Sequence, residues 1–379
     1  MIHPSKDNCC GCGVCEHICS HSAITIVADE FGFRYPKVNE KLCTDCGLCE
    51  KVCPFNIISE EPKAQPQAYA IRHKNPNVVA ESRSGGFFTA LTDFILQSGG
   101  VVYGAILTEQ MRVEHVRAES CAERDLMRGS KYAQSNIDKI CKTVKQDLKD
   151  GRKVLFSGTP CQVEAIARFV GKRLIENLIL VDVICHGVGS PEVWSKFINH
   201  IENIEGRKVV NANFRDKKKY GWTGLHKESF VLGGSAKRKF YPFVYYNDLH
   251  VRDCCQNCPY SRVPRNSDIT LGDLWGFEKV VPEWQKDNHG ISLVLINSEK
   301  GRELLGMCKE SVDYKPIELN MVMQPHLSHP IKFDKQLRQE YSEDYESKPF
   351  EVVLEKYHKV ARPSFSDILL NKIKMIIAK

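Results

Sequence analysis

Two runs of four cysteines near the start of the chain constrain its fold more than any other feature. The first run is Cys9-x2-Cys12-x2-Cys15-x3-Cys19, and the same spacing returns at Cys43-x2-Cys46-x2-Cys49-x3-Cys53, followed by Pro54. Two such runs, about thirty residues apart, are typical of paired [4Fe-4S] clusters in which the fourth cysteine of each run ligates the other cluster. The predicted ligand sets are therefore Cys9, Cys12, Cys15, Cys53 and Cys43, Cys46, Cys49, Cys19.

This arrangement is that of a two-cluster bacterial-type ferredoxin, and it predicts an α+β ferredoxin-like domain over residues 1–62. Gly11, Gly13 and Gly47 lie in the two-residue gaps, where small residues allow the chain to bend round a cluster. Zinc is the alternative, but zinc sites usually join pairs of cysteines across longer gaps. Cys10 fits neither spacing and is expected to be a non-ligand, and Ser20 stands where proline often follows the last cysteine.

The composition favours a reduced, metal-binding protein. The 379 residues suffice for two or three domains, and 42% hydrophobic with 26% charged residues is an ordinary globular balance. Seventeen cysteines would also fit a secreted disulfide scaffold, but the first residues lack an apolar targeting segment. No apolar run approaches the roughly eighteen residues of a membrane span. A cytoplasmic protein is therefore expected.

The formal charge of +6 is unevenly distributed along the chain. Residues 1–62 hold five Lys/Arg against nine Asp/Glu, a net of −4, whereas residues 207–239 hold ten against two, a net of +8. No nucleic-acid-binding motif accompanies this basic stretch, so no nucleic-acid partner is expected. An anionic substrate, a cofactor tail or an acidic partner protein is one interpretation, and a solvated lysine-rich hairpin is the other.

After a polar, proline-containing linker at residues 57–66, strand patterns alternate with helix patterns, which indicates an α/β domain. Strands are predicted at residues 68–71, 101–107, 153–156, 178–184 and 291–296, the last being the final strand. Helices are predicted at 87–95, 162–170, 191–201 and 299–308, the last being the final core helix. Inserted β-hairpins are predicted between residues 206 and 250.

Two turns of this domain have features of a phosphate site. Ser84 is expected to cap the helix that follows Gly85 and Gly86, and Thr159 is expected to cap the helix that begins at Pro160. Both turns place backbone N–H groups at the positive end of a helix dipole, where phosphate binds readily. The alternative is that each turn is only tight and well capped.

Further motifs carry a family likeness. Cys161 and Cys185 both follow strand ends, the edge at which α/β sheets place their chemistry. Over residues 66–330 the chain resembles the beta subunits of coenzyme F420-reducing hydrogenase and of formate dehydrogenase, and the N-terminal unit resembles the longer members. The motifs that carry the resemblance, in order, are Ser84-Gly85-Gly86, Arg128-Gly129-Ser130-Lys131-Tyr132, Gly158-Thr159-Pro160-Cys161-Gln162, Cys185-His186-Gly187, Phe214-Arg215-Asp216-Lys217, Cys255-x2-Cys258 and Gly272-Asp273-Leu274-Trp275-Gly276.

The resemblance implies a flavoprotein that holds FAD beside a third [4Fe-4S] cluster. Mapped by motif, the ligands of that cluster are Cys161, Cys185, Cys255 and Cys258, with Cys254 as a rival for Cys255. A Cys-x2-Cys pair needs partners, and the two strand-end cysteines supply them. The expected phosphate contacts of the flavin are Ser84, Gly85, Gly86, Lys131 and Thr159. The remaining thiols are expected to lie in the core: Cys121, Cys141 and Cys308.

The expected domains are residues 1–62, then residues 66–150 and 151–330 as two parts of one flavin domain, then a helical tail at 331–379. Its end, residues 366–379, is amphipathic and is expected to lie on a membrane, a partner or its own domain. Clusters carry single electrons and a flavin exchanges pairs, so the predicted function is electron transfer between a donor or acceptor protein and an organic substrate, F420 or another anionic molecule. The alternatives are a non-catalytic relay subunit and a reductase of surface polysaccharide biosynthesis.

Overall fold

A computed structural model describes residues 2, 5–56, 64–217, 221–222, 228–235, 237–241, 243, 245, 248–284 and 288–360. The N-terminal unit consists of α1 (Val14–Ile18), the hairpin of β1 (Ile24–Ala28) and β2 (Arg34–Val38), and α2 (Leu48–Val52). Both short helices begin after a glycine with left-handed backbone, Gly13 at φ 75° and Gly47 at φ 73°. This conformation costs glycine little, and it turns each cysteine run into its helix.

The remaining elements form one large domain with a small sheet attached. Its strands are β3 (Gln67–His73), β4 (Val101–Leu107), β5 (Val113–Ala118), β6 (Val154–Gly158), β7 (Leu178–Val183), β8 (Val209–Asn213), β9 (Ser229–Leu232), β10 (Arg238–Phe240), β11 (Ile269–Asp273), β12 (Ser292–Ile296) and β13 (Val312–Ile317). Its helices are α3 (Pro76–Glu81), α4 (Phe87–Gln97), α5 (Cys121–Asp125), α6 (Asp138–Lys149), α7 (Pro160–Val170), α8 (Pro191–Glu205), α9 (Glu299–Cys308), α10 (Lys335–Ser347) and α11 (Phe350–Val360).

The large sheet is mixed, with the strand order β13-β3-β12-β11-β7-β6-β4-β5. Its centre is parallel: β4 pairs with β6, β6 with β7 and β7 with β11, and the outer pairs are antiparallel. The central strands read as continuous apolar runs because helices cover both faces. Helices α6 and α7 pack on one face and α4 and α9 on the other. The parallel strands therefore end at one common edge, which positions the residues that follow them.

The predicted hairpins form a separate antiparallel sheet in the order β10-β9-β8. It packs with α8 around a cluster of aromatic side chains that includes Trp194 and Phe230. Two helices beyond residue 330 complete this cluster, because Tyr341 and Tyr357 are buried in it. The first part of the expected tail is thus a core element, and residues 366–379 lie outside the described residues.

Two predictions about the end of the sheet are wrong. The strand at 292–296 is not the last, because β13 follows it and pairs with β3 along an antiparallel ladder from Val312 opposite His73 to Ile317 opposite Ala68. Helix α9 is likewise not the last core helix. Within the described part of the chain, no helix has the length and apolar character needed to cross a membrane.

Candidate functional site

The first predicted cysteine set comes together at the inner side of the ferredoxin unit. Cys12 and Cys15 interact with Cys9, and Cys15 also interacts with Cys53, which arrives from the end of α2. Burial, followed by the neighbouring Cys9 and Cys53 thiols, raises the pKa of Cys15 to about 12. Adjacent buried thiols cannot all ionise unless a cation balances their charge, which is the environment of a metal cluster.

The second predicted set lies at the outer end of the same unit. Its four cysteines line one small cavity with the apolar side chains of Ile2, Ile24 and Val38. Cys46 is exposed, whereas its three companions are partly buried. The fourth cysteine of the first run thus meets the second run, as the crossed spacing predicts. The members of this set are Cys19, Cys43, Cys46 and Cys49.

A third group of cysteines forms at the carboxyl edge of the large sheet. Cys161 is the second residue of α7, directly after β6, and Cys185 follows β7. A short helical turn at Asp253–Asn257 brings in Cys255, with Cys258 just beyond it. The electrostatic neighbours of Cys185 are Cys255, Cys161 and Cys258, and its burial raises its pKa well above the usual value. The structure therefore brings together the four residues that the family resemblance implies.

Cys254 occupies a different position from its neighbour in sequence. It is buried and interacts with Cys255 and Cys10, whereas it is not among the principal neighbours of Cys185. A hydrogen bond from the Cys254 thiol lowers the pKa of Cys255, so Cys255 is the member of this pair that ionises first. Because a thiolate is the metal ligand, this geometry favours Cys255 over Cys254.

Cys10 joins the first and third groups. Its side chain is 4% exposed and forms hydrogen bonds with both Cys12 and Cys161. These thiols belong to one packed cluster of buried side chains. The two cysteine groups are therefore adjacent, with the Cys10 thiol between them. The remaining thiols differ in burial. Cys141 and Cys308 are buried as expected, but Cys121 is exposed at the start of α5, so the prediction of Cys121 as a core thiol is wrong.

A cavity of about 280 Å³ opens beside the third group. Cys185 forms part of its wall, and the cavity extends along the carboxyl edge of the sheet toward the start of α4. Four of the five residues expected to contact a flavin line it, namely Ser84, Gly86, Lys131 and Thr159. The structure thus places the third cysteine group and a cavity of small-molecule size side by side.

Gly85 has a different role from the one predicted. A Cβ atom at this position would lie 2.3 Å from the carbonyl oxygen of Ile71 and 2.7 Å from the backbone nitrogen of Ser292. The Gly85 N–H donates to the Ser292 hydroxyl at 3.0 Å, so this donor is already engaged with β12. Glycine is required here for close packing on β3 and β12, and the predicted phosphate contact gains no support from this N–H.

The two expected helix caps also differ. Gly86, at φ 88°, is the N-cap of α4, while the Ser84 hydroxyl donates to the carbonyl of Ile291 at 2.6 Å, so Ser84 is not the cap. Thr159 is the N-cap of α7 as predicted, with Pro160 in the first turn. The Thr159 N–H donates to the Gln162 side chain at 3.1 Å. The cavity therefore meets one glycine-capped and one threonine-capped helix start.

The Lys131 ammonium group lies at the cavity wall. It donates to the carbonyl oxygens of Leu126, Met127 and Arg128 at 3.0–3.2 Å, and among the described residues it forms no ion pair with a carboxylate. Burial lowers its pKa to about 7. Such a lysine gains from an anion that enters the cavity, because the anion restores the charged form.

His115 is a cavity residue that the sequence analysis missed. It lies on β5, is 4% exposed, and its Nε2 is 2.9 Å from the carbonyl oxygen of Ser157. That contact requires the proton on Nε2, and Nδ1 is left as a buried acceptor with no partner among the described residues. Burial lowers the pKa of His115 to about 4, so the ring is neutral. The alternation of β5 was the signal that would have placed it inward.

A second histidine of the cavity belongs to a hydrogen-bonded chain. His186 Nε2 is 2.6 Å from Asp248 Oδ1, and its Nδ1 is 2.7 Å from His326 Nε2. Burial lowers the pKa of His326 to about 4. A carboxylate and two imidazoles thus connect the cavity wall to residues far along the chain.

The described members of the basic stretch are largely paired. Arg215 Nη1 lies 2.8 Å from Asp273, Arg238 Nη1 lies 2.6 Å from Asp216, and Lys208 forms an ion pair with Glu202. Asp273 and Glu202 lie outside residues 207–239, so the net charge of +8 is partly neutralised by the fold. The pairing favours a structural use of these cations over a single open basic face.

The fold and the N-terminal cysteine sets define an iron–sulfur protein of the oxidoreductase class. Residues 8–57 match the family model described as 4Fe-4S dicluster domain, which confirms the ferredoxin unit. Residues 151–320 match the family model for the C-terminal part of the coenzyme F420 hydrogenase/dehydrogenase beta subunit. Over residues 151–320 the chain is therefore similar to this beta subunit family, and it carries a dicluster domain in front of the matched region.

The comparisons with individual proteins are more distant. No curated protein matches the sequence. Among solved structures, a chain of the F420-reducing [NiFe] hydrogenase complex from Methanosarcina barkeri is similar at 16% sequence identity and a TM-score of 0.49. The match covers 79% of this chain and 95% of the hydrogenase chain.

Proposed function

We propose that the protein is an iron–sulfur flavin oxidoreductase that passes electrons between its clusters and an anionic organic substrate. The observation that carries the proposal is that Cys185 lies in the wall of the same cavity as Lys131. A metal site and an anion-binding cavity in contact are what electron transfer between a cluster and a bound flavin requires. On this proposal, the clusters are held by the three cysteine groups described above.

The cavity residues fit a flavin. The unpartnered Nδ1 of His115 is a buried acceptor, which suits an N–H group of a ligand, since an unsatisfied buried acceptor costs free energy. Lys131 and the start of α4 at Gly86 suit phosphate. The volume of about 280 Å³ is near the lower end of small-molecule pockets, so the enclosed part suits the ring system, with the remainder along the open side.

A bound flavin would convert between the electron pairs of an organic substrate and the single electrons of clusters. The residues of the chain then have separate tasks. Lys131 and the helix starts bind the anionic portion, and His115 orients the ligand from the floor of the cavity. His186, held between Asp248 and His326, offers a hydrogen-bonded path for a proton at the cavity wall.

The arrangement of the three cysteine groups supports one order of electron transfer. The third cysteine group adjoins the cavity, and Cys10 links it to the first group. The second group lies at the outer end of the ferredoxin unit, where Cys46 is exposed. Electrons would therefore pass between the cavity and a partner protein through the third, first and second groups in turn. The candidate substrate is F420 or another anionic molecule.

The test is a titration of anaerobically prepared, iron-loaded protein with FAD, in which flavin fluorescence measures the binding. The wild-type protein should bind FAD, and His115→Phe should weaken binding by about 1–3 kcal/mol, because the ligand loses its buried acceptor while the ring stack on Phe156 is kept. Cys121→Ser, at an exposed site, is the control and should bind as wild type. If iron-loaded wild-type protein binds no FAD, the flavin function is overturned.

A further inference from the structure

Arg252 is a buried cation that neither lines the cavity nor belongs to a cysteine group. Its side chain is 0% exposed, and Arg252 lies two residues before Cys254 in the loop of the third cysteine group. Its Nε donates to the carbonyl of Cys9 at 2.6 Å, and its Nη2 donates to the carbonyl of Arg34 at 2.9 Å. The side chain therefore reaches from the third group to the loop that carries the first group.

Further contacts fix the guanidinium group in place. Its Nη1 donates to the Gln134 side chain at 3.0 Å, and Gln134 in turn donates to the carbonyl of Cys10 at 2.7 Å. The ring of Tyr35 lies 4.3 Å from the guanidinium carbon. A Cβ atom at Gly11 would lie only 2.7 Å from Nη1, so the cysteine loop approaches as closely as glycine permits.

These contacts supply no negative partner. Among the described residues, the acceptors of Arg252 are two backbone carbonyls and one amide, and no carboxylate pairs with it. A buried charge without a counter-ion is strongly unfavourable. The groups that surround Arg252 electrostatically are cysteines, namely Cys254, Cys9 and Cys10, together with Tyr35.

We propose that Arg252 is the shared counter-ion of the first and third clusters and raises the reduction potential of both. This inference rests on the proposed function, because it takes both cysteine groups to hold clusters. A cluster with four thiolate ligands is anionic, and each one-electron reduction adds one negative charge. A fixed positive charge stabilises the reduced form more than the oxidised form. The same side chain holds the two groups in register, so Arg252 is a positioning residue with an electrostatic effect.

The experiment is an anaerobic redox titration of the full, iron-loaded chain, followed by electron paramagnetic resonance. Signals are assigned with Cys161→Ala for the third cluster and Cys46→Ala for the outer cluster. Arg252→Met should make reduction of the first and third clusters at least tenfold less favourable, about 59 mV for a one-electron couple. The outer cluster should shift less, and Arg252→Lys, which keeps the charge, should stay close to wild type.

Arg124→Met is the matched control, because Arg124 is also buried but pairs with Asp93 and Asp125 away from the cysteine groups. It should leave all three potentials unchanged. If Arg252→Met retains its iron with unshifted potentials, or if the lysine and methionine variants shift equally, the counter-ion role is overturned.

If Arg252→Met does not take up iron, the iron content of Arg252→Lys is compared with that of Arg252→Gln. Iron uptake by the lysine variant but not by the glutamine variant supports the proposal. Equal loss of iron in these two variants overturns the proposal in favour of a packing role. If wild-type protein holds no third cluster, the proposed function fails. If it holds three and the Arg252 variants are unshifted, only this inference fails.

Discussion

Arg168 donates a hydrogen bond of 3.0 Å from its Nη1 to the carbonyl oxygen of Cys53. Arg168 lies on α7, whose second residue is Cys161, and Cys53 ends the second cysteine run of the ferredoxin unit. One helix therefore supplies a predicted ligand of the third group and holds the backbone of a predicted ligand of the first. The Tyr260 hydroxyl donates to the neighbouring carbonyl of Pro54 and adds a second tie across the same interface.

This tie can be weakened directly. Arg168→Ala should lower the free energy of unfolding by about 1.5–3 kcal/mol, the scale of a hydrogen bond to a charged group, because the Cys53 carbonyl and Glu164 each lose the guanidinium donor and keep only Asn56 and Asn266, respectively. Chemical denaturation of iron-loaded protein measures the loss. Arg302→Ala, which removes an exposed ion pair with Glu299, is the control and should change stability little. An equal effect of the two variants would contradict the assignment.

The cysteines at positions 254 and 255 should behave differently. Cys255→Ala should remove the spectroscopic signal of the third cluster and leave the other two, because an incompletely ligated cluster is unstable. Cys254→Ala should keep all three signals, since it removes only a thiol that donates to Cys255. Iron analysis and electron paramagnetic resonance compare the variants. The opposite pattern would show that the ligand is Cys254.

Substitution at Gly85 should affect folding and not flavin binding as such. Gly85→Val places its Cβ against the carbonyl of Ile71, and we expect a loss of about 1–3 kcal/mol or more in the free energy of unfolding. The variant molecules that remain folded should bind FAD as wild type, because the Gly85 N–H is engaged with the Ser292 hydroxyl. A normally stable variant without FAD binding would restore the phosphate role.

We expect the titration of Lys131 to make FAD binding depend on pH. Its pKa of about 7 lies below the usual lysine value, so between about pH 7 and 10 the unfolded chain binds this proton and the folded chain does not. Its contribution to folding stability therefore rises with pH across that range. A phosphate in the cavity should raise the pKa and cause proton uptake when FAD binds at pH 8.5. Calorimetry in two buffers of different ionisation enthalpy measures this uptake.

Lys131→Met should abolish the proton uptake and weaken FAD binding. The matched control is Lys139→Met, at an exposed lysine, which should leave both quantities unchanged. A wild-type protein that binds FAD without proton uptake at pH 8.5 would show that Lys131 does not contact the anionic part of the ligand.

Local spacing made part of this structure predictable. Cysteine spacing and strand-to-helix turns are properties of neighbouring residues, and they predicted the ferredoxin unit, the alternating strands and helices of the α/β domain and the Thr159 cap. The edge strand β13 was not predicted because it is mostly exposed and contains Pro316. Proline removes a backbone donor and is tolerated mainly at sheet edges. Its pairing with β3 joins residues more than two hundred positions apart, which no local pattern encodes.

The candidate site shows the same limit. The motifs singled out Lys131 and Thr159, and both line the cavity. The role of Gly85 depends on the approach of Ile71 and Ser292, and the Cys10–Cys161 contact depends on how two domains pack. The alternation of β5 could have placed His115 inward, but not beside the cavity, and Arg252 acquires its role only from tertiary burial, because a single arginine carries no spacing signal.

We propose that the chain holds three four-cysteine iron–sulfur sites, two in the ferredoxin unit and one beside the cavity. The most direct test is the content of iron and acid-labile sulfide in anaerobically purified protein. We expect about twelve irons with matching sulfide per chain, and Cys185→Ala should retain about eight. A wild-type protein that carries zinc without sulfide, or that stops at about eight irons, would contradict it.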